Sequence, residues 1–101
     1  MIYKLAVPPP QEGEDVEELR VLQWHKAPGD RVALDELVVE LETSKAIVEI
    51  RARREAVLRQ IVVAAGEWTK PGEPIAFLAD SADETVDAGT ATEMLAHYEI
   101  T

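Results

Sequence analysis

Apolar and polar residues alternate in short runs along this chain, and a turn signal interrupts the alternation about every 8–12 residues. Alternation with a period of two puts successive side chains on opposite faces of an extended strand, so the pattern predicts an all-β sandwich or barrel. Strands are expected over residues 2–7, 18–26, 37–42, 47–51, 56–63 and 75–79, with short ones at 31–32 and 68–69. The breaks "APGD", "AAGE" and "KPGEP" supply a glycine or an early proline, the residues that tight turns use. Pro8, Pro9 and Pro10 cannot donate to a sheet ladder and end the first strand.

The two halves resemble each other. Laying Gly29 on Gly66, an offset of 37 residues, brings Val21 onto Leu58, Gln23 onto Gln60, Asp30 onto Glu67, Val38 onto Ile75 and Leu41 onto Leu78. Each half reads strand, glycine turn, short strand, turn, strand. This predicts two small sheets related by a pseudo-two-fold axis. Residues 81–91 are small and acidic, as in a linker. Beyond them Thr90 and Glu93 have capping-box spacing, with Met94, Leu95 and Tyr98 on one side of a helical turn. The expected organisation is one domain over residues 1–80 and an acidic flexible tail or linker over 81–101 that can hold a short C-terminal helix.

The stretch "VVELETSKAIVEI" predicts a hairpin whose loop is Ser44–Lys45. With that loop Glu42 faces Ile47, Leu41 faces Val48, Glu40 faces Glu49 and Val39 faces Ile50. Val39, Leu41, Val48 and Ile50 then share one face, and a slip of one residue would scatter them. The loop chemistry is poor for stability. Tight hairpins prefer Asn-Gly or Asp-Gly, and Glu40 opposite Glu49 is a like-charge pair costing about a few tenths of a kcal/mol. Local rules tend to break where function intrudes, although an ordinary surface lysine on a turn fits the same pattern.

Composition narrows the function. A chain of 101 residues buries a modest core, which argues against a deep active-site cavity. The net charge of −10 would repel nucleic acid. There is no cysteine for a disulfide or a thiolate metal site, and His25 and His97 lack ligand spacing. No apolar run approaches the ~20 residues of a membrane span, and the N-terminal residues do not read as a signal peptide, so a cytoplasmic location is expected, away from any membrane. Trp24 and Trp68 are expected to be packing residues. No catalytic residue is predicted.

"ELETSKAIVEI" is similar to the lipoyl-lysine motif of lipoyl domains in the acyltransferase components of 2-oxo acid dehydrogenase complexes, E-T-D/S-K-A followed by a short strand. "LQWHKAPGDRVALDELVVELETSKA" resembles that family's W-x-x-x-x-G-D-x-V pattern leading into the hairpin, and "VVAAGEWTKPGEPIAFL" resembles its second half. The likeness covers residues 2–80 or so. It implies a flattened barrel, a barrel-sandwich hybrid of two four-stranded antiparallel sheets, with Lys45 at a β-hairpin tip carrying covalent lipoic acid (lipoamide). It implies a non-catalytic swinging-arm carrier that shuttles acyl groups and electrons between active sites. It also implies that Glu42, Thr43, Ser44, Ala46 and Gly29 are read by the modifying enzyme, and that the loop over residues 7–15 lies beside the hairpin. The implied partners are a lipoate–protein ligase or lipoyl transferase, a 2-oxo acid decarboxylase, the acyltransferase core and dihydrolipoamide dehydrogenase.

Biotinyl carrier domains resemble this fold but read Ala-Met-Lys-Met, whereas Ser44 and Ala46 flank the lysine here, which favours lipoate. A biotinyl carrier of a carboxylase and an unmodified hairpin module for assembly stay open as alternatives. The chain departs from the family after the hairpin. "ARREA" stands where many lipoyl domains have a proline and a glycine, so Ala56 either strains a left-handed position or the turn differs. Arg51, Arg53 and Arg54 form a basic cluster there, read as a solvated turn or a partner contact.

Overall fold

The computed structural model describes residues 1–7, 18–43 and 46–84, and, as backbone, the strands at 93–94 and 97–100. Ten strands run in chain order: β1 (Ile2–Ala6), β2 (Leu19–Trp24), β3 (Arg31–Val32), β4 (Leu37–Glu42), β5 (Ile47–Arg51), β6 (Ala56–Ile61), β7 (Trp68–Thr69), β8 (Pro74–Ala79), β9 (Glu93–Met94) and β10 (His97–Ile100). The first eight coincide with the predicted strands to within two residues at every end. They form two four-stranded antiparallel sheets, β3-β6-β8-β1 and β7-β2-β4-β5. Among the described residues there is no helix.

The C-terminal segment differs from the helix expected there. Glu93–Met94 runs parallel beside β1, and His97–Ile100 runs antiparallel beside β5, so each sheet gains a fifth strand. The helical spacing of Met94, Leu95 and Tyr98 belongs to a segment too short to hold a helix alone. Two open sheet edges offer its backbone partners that solvent would otherwise supply. The expected linker lies outside the described residues beyond Glu84.

The 37-residue offset is a structural repeat. Gly29 N–H donates to the Leu58 carbonyl at 2.7 Å, and Gly66 N–H donates to the Val21 carbonyl at 2.8 Å. Leu58 N–H returns to the Asp30 carbonyl and Val21 N–H to the Glu67 carbonyl, both at 2.9 Å. Both glycines have positive φ, 97° and 91°, which a side chain would disfavour. Even the irregularities repeat: β2 slips against β4 between Val21 and Gln23, and β6 slips against β8 between Leu58 and Gln60.

The inner faces of both sheets meet in one core, where Leu5, Val21, Leu41, Ile50, Leu58 and Leu78 are fully buried. Burial of each such side chain is worth about 1.5–3 kcal/mol. The basic turn after β5 contains no left-handed residue, since Asp35 is the one described non-glycine residue with positive φ. The missing glycine is therefore accommodated by a different turn.

Candidate functional site

The β4–β5 hairpin has the predicted register: Glu42 faces Ile47, Leu41 faces Val48, Glu40 faces Glu49 and Val39 faces Ile50. Leu41, Val48 and Ile50 enter the core, and Glu40, Glu42 and Glu49 stay on the outer face. At the mouth, Thr43 N–H donates to the Ala46 carbonyl at 2.8 Å. Ala46 N–H donates to Thr43 Oγ1 at 3.0 Å. The threonine hydroxyl thus closes the mouth without the Asn-Gly or Asp-Gly that tight hairpins favour. Chain connectivity leaves two residues between Thr43 and Ala46: Ser44 and Lys45. Both lie outside the described residues.

Around the mouth, Arg20 on β2 stands opposite Glu42, their charged groups 3.6 Å apart. Glu40 meets His25 Nε2 at 2.5 Å, and Glu49 meets Arg51 at 3.0 Å. The Arg51 charge offsets part of the acidic repulsion between Glu40 and Glu49 across the hairpin, and the His25 ring holds Glu40 by a hydrogen bond. Trp68 on β7 stands opposite Arg20 and is 60% exposed. This corrects the expectation of a packing residue. Trp68 pairs on the outer row of the sheet, whereas its neighbour Thr69 faces inward beside Leu19. Trp24 does pack against the core, and its Nε1–H donates to the Val63 carbonyl at 2.9 Å.

Strand direction fixes which parts reach the hairpin. Arg20 faces Glu42, so the start of β2 lies at the hairpin end. β7 also lies there and leads into β8 at Pro74, which faces Ala6. Val7, where the loop over 7–15 expected beside Lys45 begins, and Glu18, just beyond that loop, are therefore at this end; residues 8–17 are outside the described residues. Gly29 is not brought to the hairpin. It bonds Leu58, which faces Leu78 near the opposite end, where Asp80 N–H donates to the Met1 carbonyl at 3.2 Å.

That far end holds part of the basic cluster. Arg54 lies 4.6 Å over the Tyr3 ring and 3.7 Å from Asp80, while the Tyr3 hydroxyl donates to Asp80 at 2.7 Å. The Tyr3 hydrogen bond first, and then the Met1 amino group and Arg54, hold the Asp80 carboxyl below its ordinary range. Arg51 donates to the Asp35 carbonyl as well as to Glu49. Two of the three arginines thus have structural ties. Among the described residues no cluster could hold a metal ion, and no helix is long and apolar enough to cross a membrane.

The biotin/lipoyl family, described as that of a biotin-requiring enzyme, matches residues 6–78. The chain is 36% identical over 76 residues to the dihydrolipoyllysine-residue succinyltransferase component of the 2-oxoglutarate dehydrogenase complex of Bacillus subtilis (strain 168), covering 75% of this chain and 18% of that protein. It is 39% identical over 82 residues to the corresponding component of Cupriavidus necator, covering 81% of this chain and 19% of that protein. The chain therefore spans about a fifth of the length of these relatives. The solution structure of the lipoyl domain of the 2-oxoglutarate dehydrogenase complex from Azotobacter vinelandii superposes with a TM-score of 0.60 at 33% identity, covering 74% of this chain and 95% of that one. Repeat, register and these likenesses agree: the chain belongs to the biotinyl- and lipoyl-attachment domain family, as a domain of the lipoyl type.

Proposed function

We propose that this domain carries lipoic acid as an amide on Lys45 and serves as the swinging arm of a 2-oxo acid dehydrogenase complex, with 2-oxoglutarate as the 2-oxo acid. The observation that carries the reading is the hairpin register, which leaves Ser44 and Lys45 as the connection between Thr43 and Ala46. The succinyltransferase relatives support the choice of 2-oxo acid.

The residues present fit a lipoyl group. Attachment needs a primary amine on a long stem, and lysine alone among side chains offers one. The amine nitrogen takes the acyl carbon of an activated lipoyl group that a ligase delivers, the activating group leaves, and the amine proton passes to solvent. When bound, a lipoyl group supplies a dithiolane that accepts an acyl unit and two electrons. The protein's own share is positional. Thr43 and Ala46 hold the hairpin mouth, and the apolar row of Val39, Leu41, Val48 and Ile50 anchors its stem in the core. Tethering raises the arm's local concentration at successive active sites of the decarboxylase, the acyltransferase core and dihydrolipoamide dehydrogenase. Those enzymes do the catalysis, and the domain is the carrier.

Incubation with lipoate, ATP and a lipoate–protein ligase, followed by intact mass and peptide mapping, tests the reading. One lipoyl group on Lys45 is expected. Modification at Lys4, Lys26 or Lys70 instead, or none, overturns it.

A further inference from the structure

The repeat makes a comparison within one molecule. On the outer face of the first sheet, Arg31, Val57, Ala79 and Ile2 form one row across β3, β6, β8 and β1. Three of these are buried, with Ile2 only 5% exposed, and Ile2 and Ala79 join Phe77 in a cluster separate from the main core. The chain after β8 turns back towards β6, where Arg59 donates to the carbonyls of Ser81 and Glu84. The twin row in the second sheet is Trp68, Arg20, Glu42 and Ile47, across β7, β2, β4 and β5. This row is open. Trp68 is 60% exposed, and Ile47, the twin of Ile2, is 40% exposed. What one half covers with its own chain, the lysine half leaves to solvent.

We propose that this row is the surface by which the enzyme that lipoylates Lys45 reads the domain. Trp68 and Ile47 are the apolar contacts, and the Arg20–Glu42 pair lies between them. The inference rests on the lipoylation reading above and adds where recognition occurs and by what chemistry. Position is the first argument. Glu42 and Ile47 are the last residues of the two strands before the hairpin mouth, so an enzyme reaching Lys45 stands next to this row. Three inter-strand spacings make the row about 14 Å long, enough for a central contact patch.

Charge is the second argument. On this face Glu42 is paired with Arg20 and Glu49 with Arg51, and Glu40 is hydrogen-bonded to His25. Two of its three carboxylates therefore have a cationic partner, and an apolar partner surface with few charges at its centre complements it. Tryptophan is also the side chain type that most often dominates such contacts. Glycine, proline or charge patterning in the sequence does not mark these two residues; only the pairing does.

Lipoylation kinetics with lipoate–protein ligase, lipoate and ATP provide the test. Trp68→Ser and Ile47→Ser should each raise the KM for the domain about tenfold or more, with kcat nearly unchanged, complete final modification and native melting curves. Leu34→Ser is the control: Leu34 is 61% exposed but lies in the β3–β4 loop at the opposite end. Its KM should stay within about twofold of the wild type. A second readout needs no variant for binding. With 5-fluorotryptophan incorporated, the 19F resonance of Trp68, assigned by its loss in Trp68→Ser, should shift or broaden on adding ligase without ATP, while that of Trp24 stays put. A KM unmoved by both variants, or a Trp68 resonance indifferent to ligase, overturns the proposal. So does a Trp68 shift that depends on domain concentration alone, which would assign the row to a second copy. A shift with the decarboxylase but not the ligase overturns it too. Failure of the wild type to be lipoylated at all is a separate result and strikes the lipoylation reading itself.

Discussion

Asp35 and Gly72 hold equivalent turns 37 residues apart, and both have left-handed backbone, φ 65° and 87°. Each N–H ties its turn to the residue just past a neighbouring strand, Asp35 to the Ala52 carbonyl beyond β5 at 2.8 Å and Gly72 to the Val7 carbonyl beyond β1 at 2.9 Å. A Cβ at Gly72 would meet nothing within 4 Å, so a side chain there costs conformational strain alone. Aspartate tolerates this region better than most residues but less well than glycine. Gly72→Ala is expected to destabilise by about 1 kcal/mol, and Asp35→Gly to stabilise by about 0.5 kcal/mol. Urea unfolding of the two variants checks both signs, and a destabilised Asp35→Gly would show that the aspartate side chain stabilises its turn.

Thr69 is the twin of Val32, and both are buried. The Thr69 hydroxyl has no hydrogen-bond partner among the described residues. A buried hydroxyl without a partner forfeits its hydration, at a cost of about 1–3 kcal/mol. Thr69→Val keeps the shape, removes the polar atom and should stabilise the domain by about 1 kcal/mol. Thermal melts decide this, and a lower midpoint would mean that the hydroxyl is satisfied.

At the hairpin mouth Thr43 supplies through its hydroxyl the acceptor for Ala46 N–H. Thr43→Val keeps the β-branch and loses that acceptor, so stability should fall by about 1 kcal/mol. The effect should be local. Amide exchange at Ala46 should accelerate far more than exchange at Leu41 or Val48, which sit in the buried stem. Uniform acceleration across β4 and β5 would place the effect in the whole fold instead.

Much of this was legible in the sequence because it is local. Alternation fixed the hairpin register, since Val39, Leu41, Val48 and Ile50 share a face in only one pairing. The Gly29 and Gly66 turns marked the repeat, because only a few residues accept positive φ. What was not legible depends on strands brought together from afar. Trp68 in a two-residue strand faces out because Arg20, 48 residues earlier, stands opposite it on the outer row. The β10 strand exists because β5 leaves an edge open, and helical spacing within 90–101 carried no trace of that edge. Gly29, expected at the recognition site from family likeness, lies at the far end, because the β3–β6 pairing carries its turn there.

Acid should loosen the domain through the carboxylates that the fold holds below their ordinary value, Glu36, Asp80 and Glu84. The Lys26 side chain first, at 2.8 Å, and then the Ala33 N–H hold the Glu36 carboxyl below its ordinary value. Asp80 is lowered likewise, first by Tyr3. A carboxyl whose folded value is depressed binds its proton more readily in the unfolded chain. Its contribution is therefore complete above the ordinary carboxylate range and is lost as pH falls through the lowered folded value. The stability difference between wild type and Glu36→Gln should be largest at neutral pH and close as pH falls below about 4. A difference that stays constant from neutral to acid pH would mean that the Lys26–Glu36 pair contributes nothing through charge.

Lys45→Arg separates attachment from folding. Arginine keeps the positive charge and a long stem, and the hydrogen bonds that close the mouth belong to Thr43 and Ala46. The stem is held by core residues on the inner faces of β4 and β5. Stability should therefore change by less than about 0.5 kcal/mol. A guanidinium stays protonated and is a poor nucleophile, so it does not take an activated acyl group from the ligase. The variant should melt like the wild type, keep its unmodified mass after incubation with ligase, lipoate and ATP, and fail as a substrate for reductive acylation by a 2-oxo acid decarboxylase. These three measurements fail independently. A lipoylated Lys45→Arg variant would move the attachment to Lys4, Lys26 or Lys70. A variant that melts far below the wild type would make Lys45 structural. An unmodified variant that still supports acyl transfer would remove the lysine from the carrier mechanism altogether.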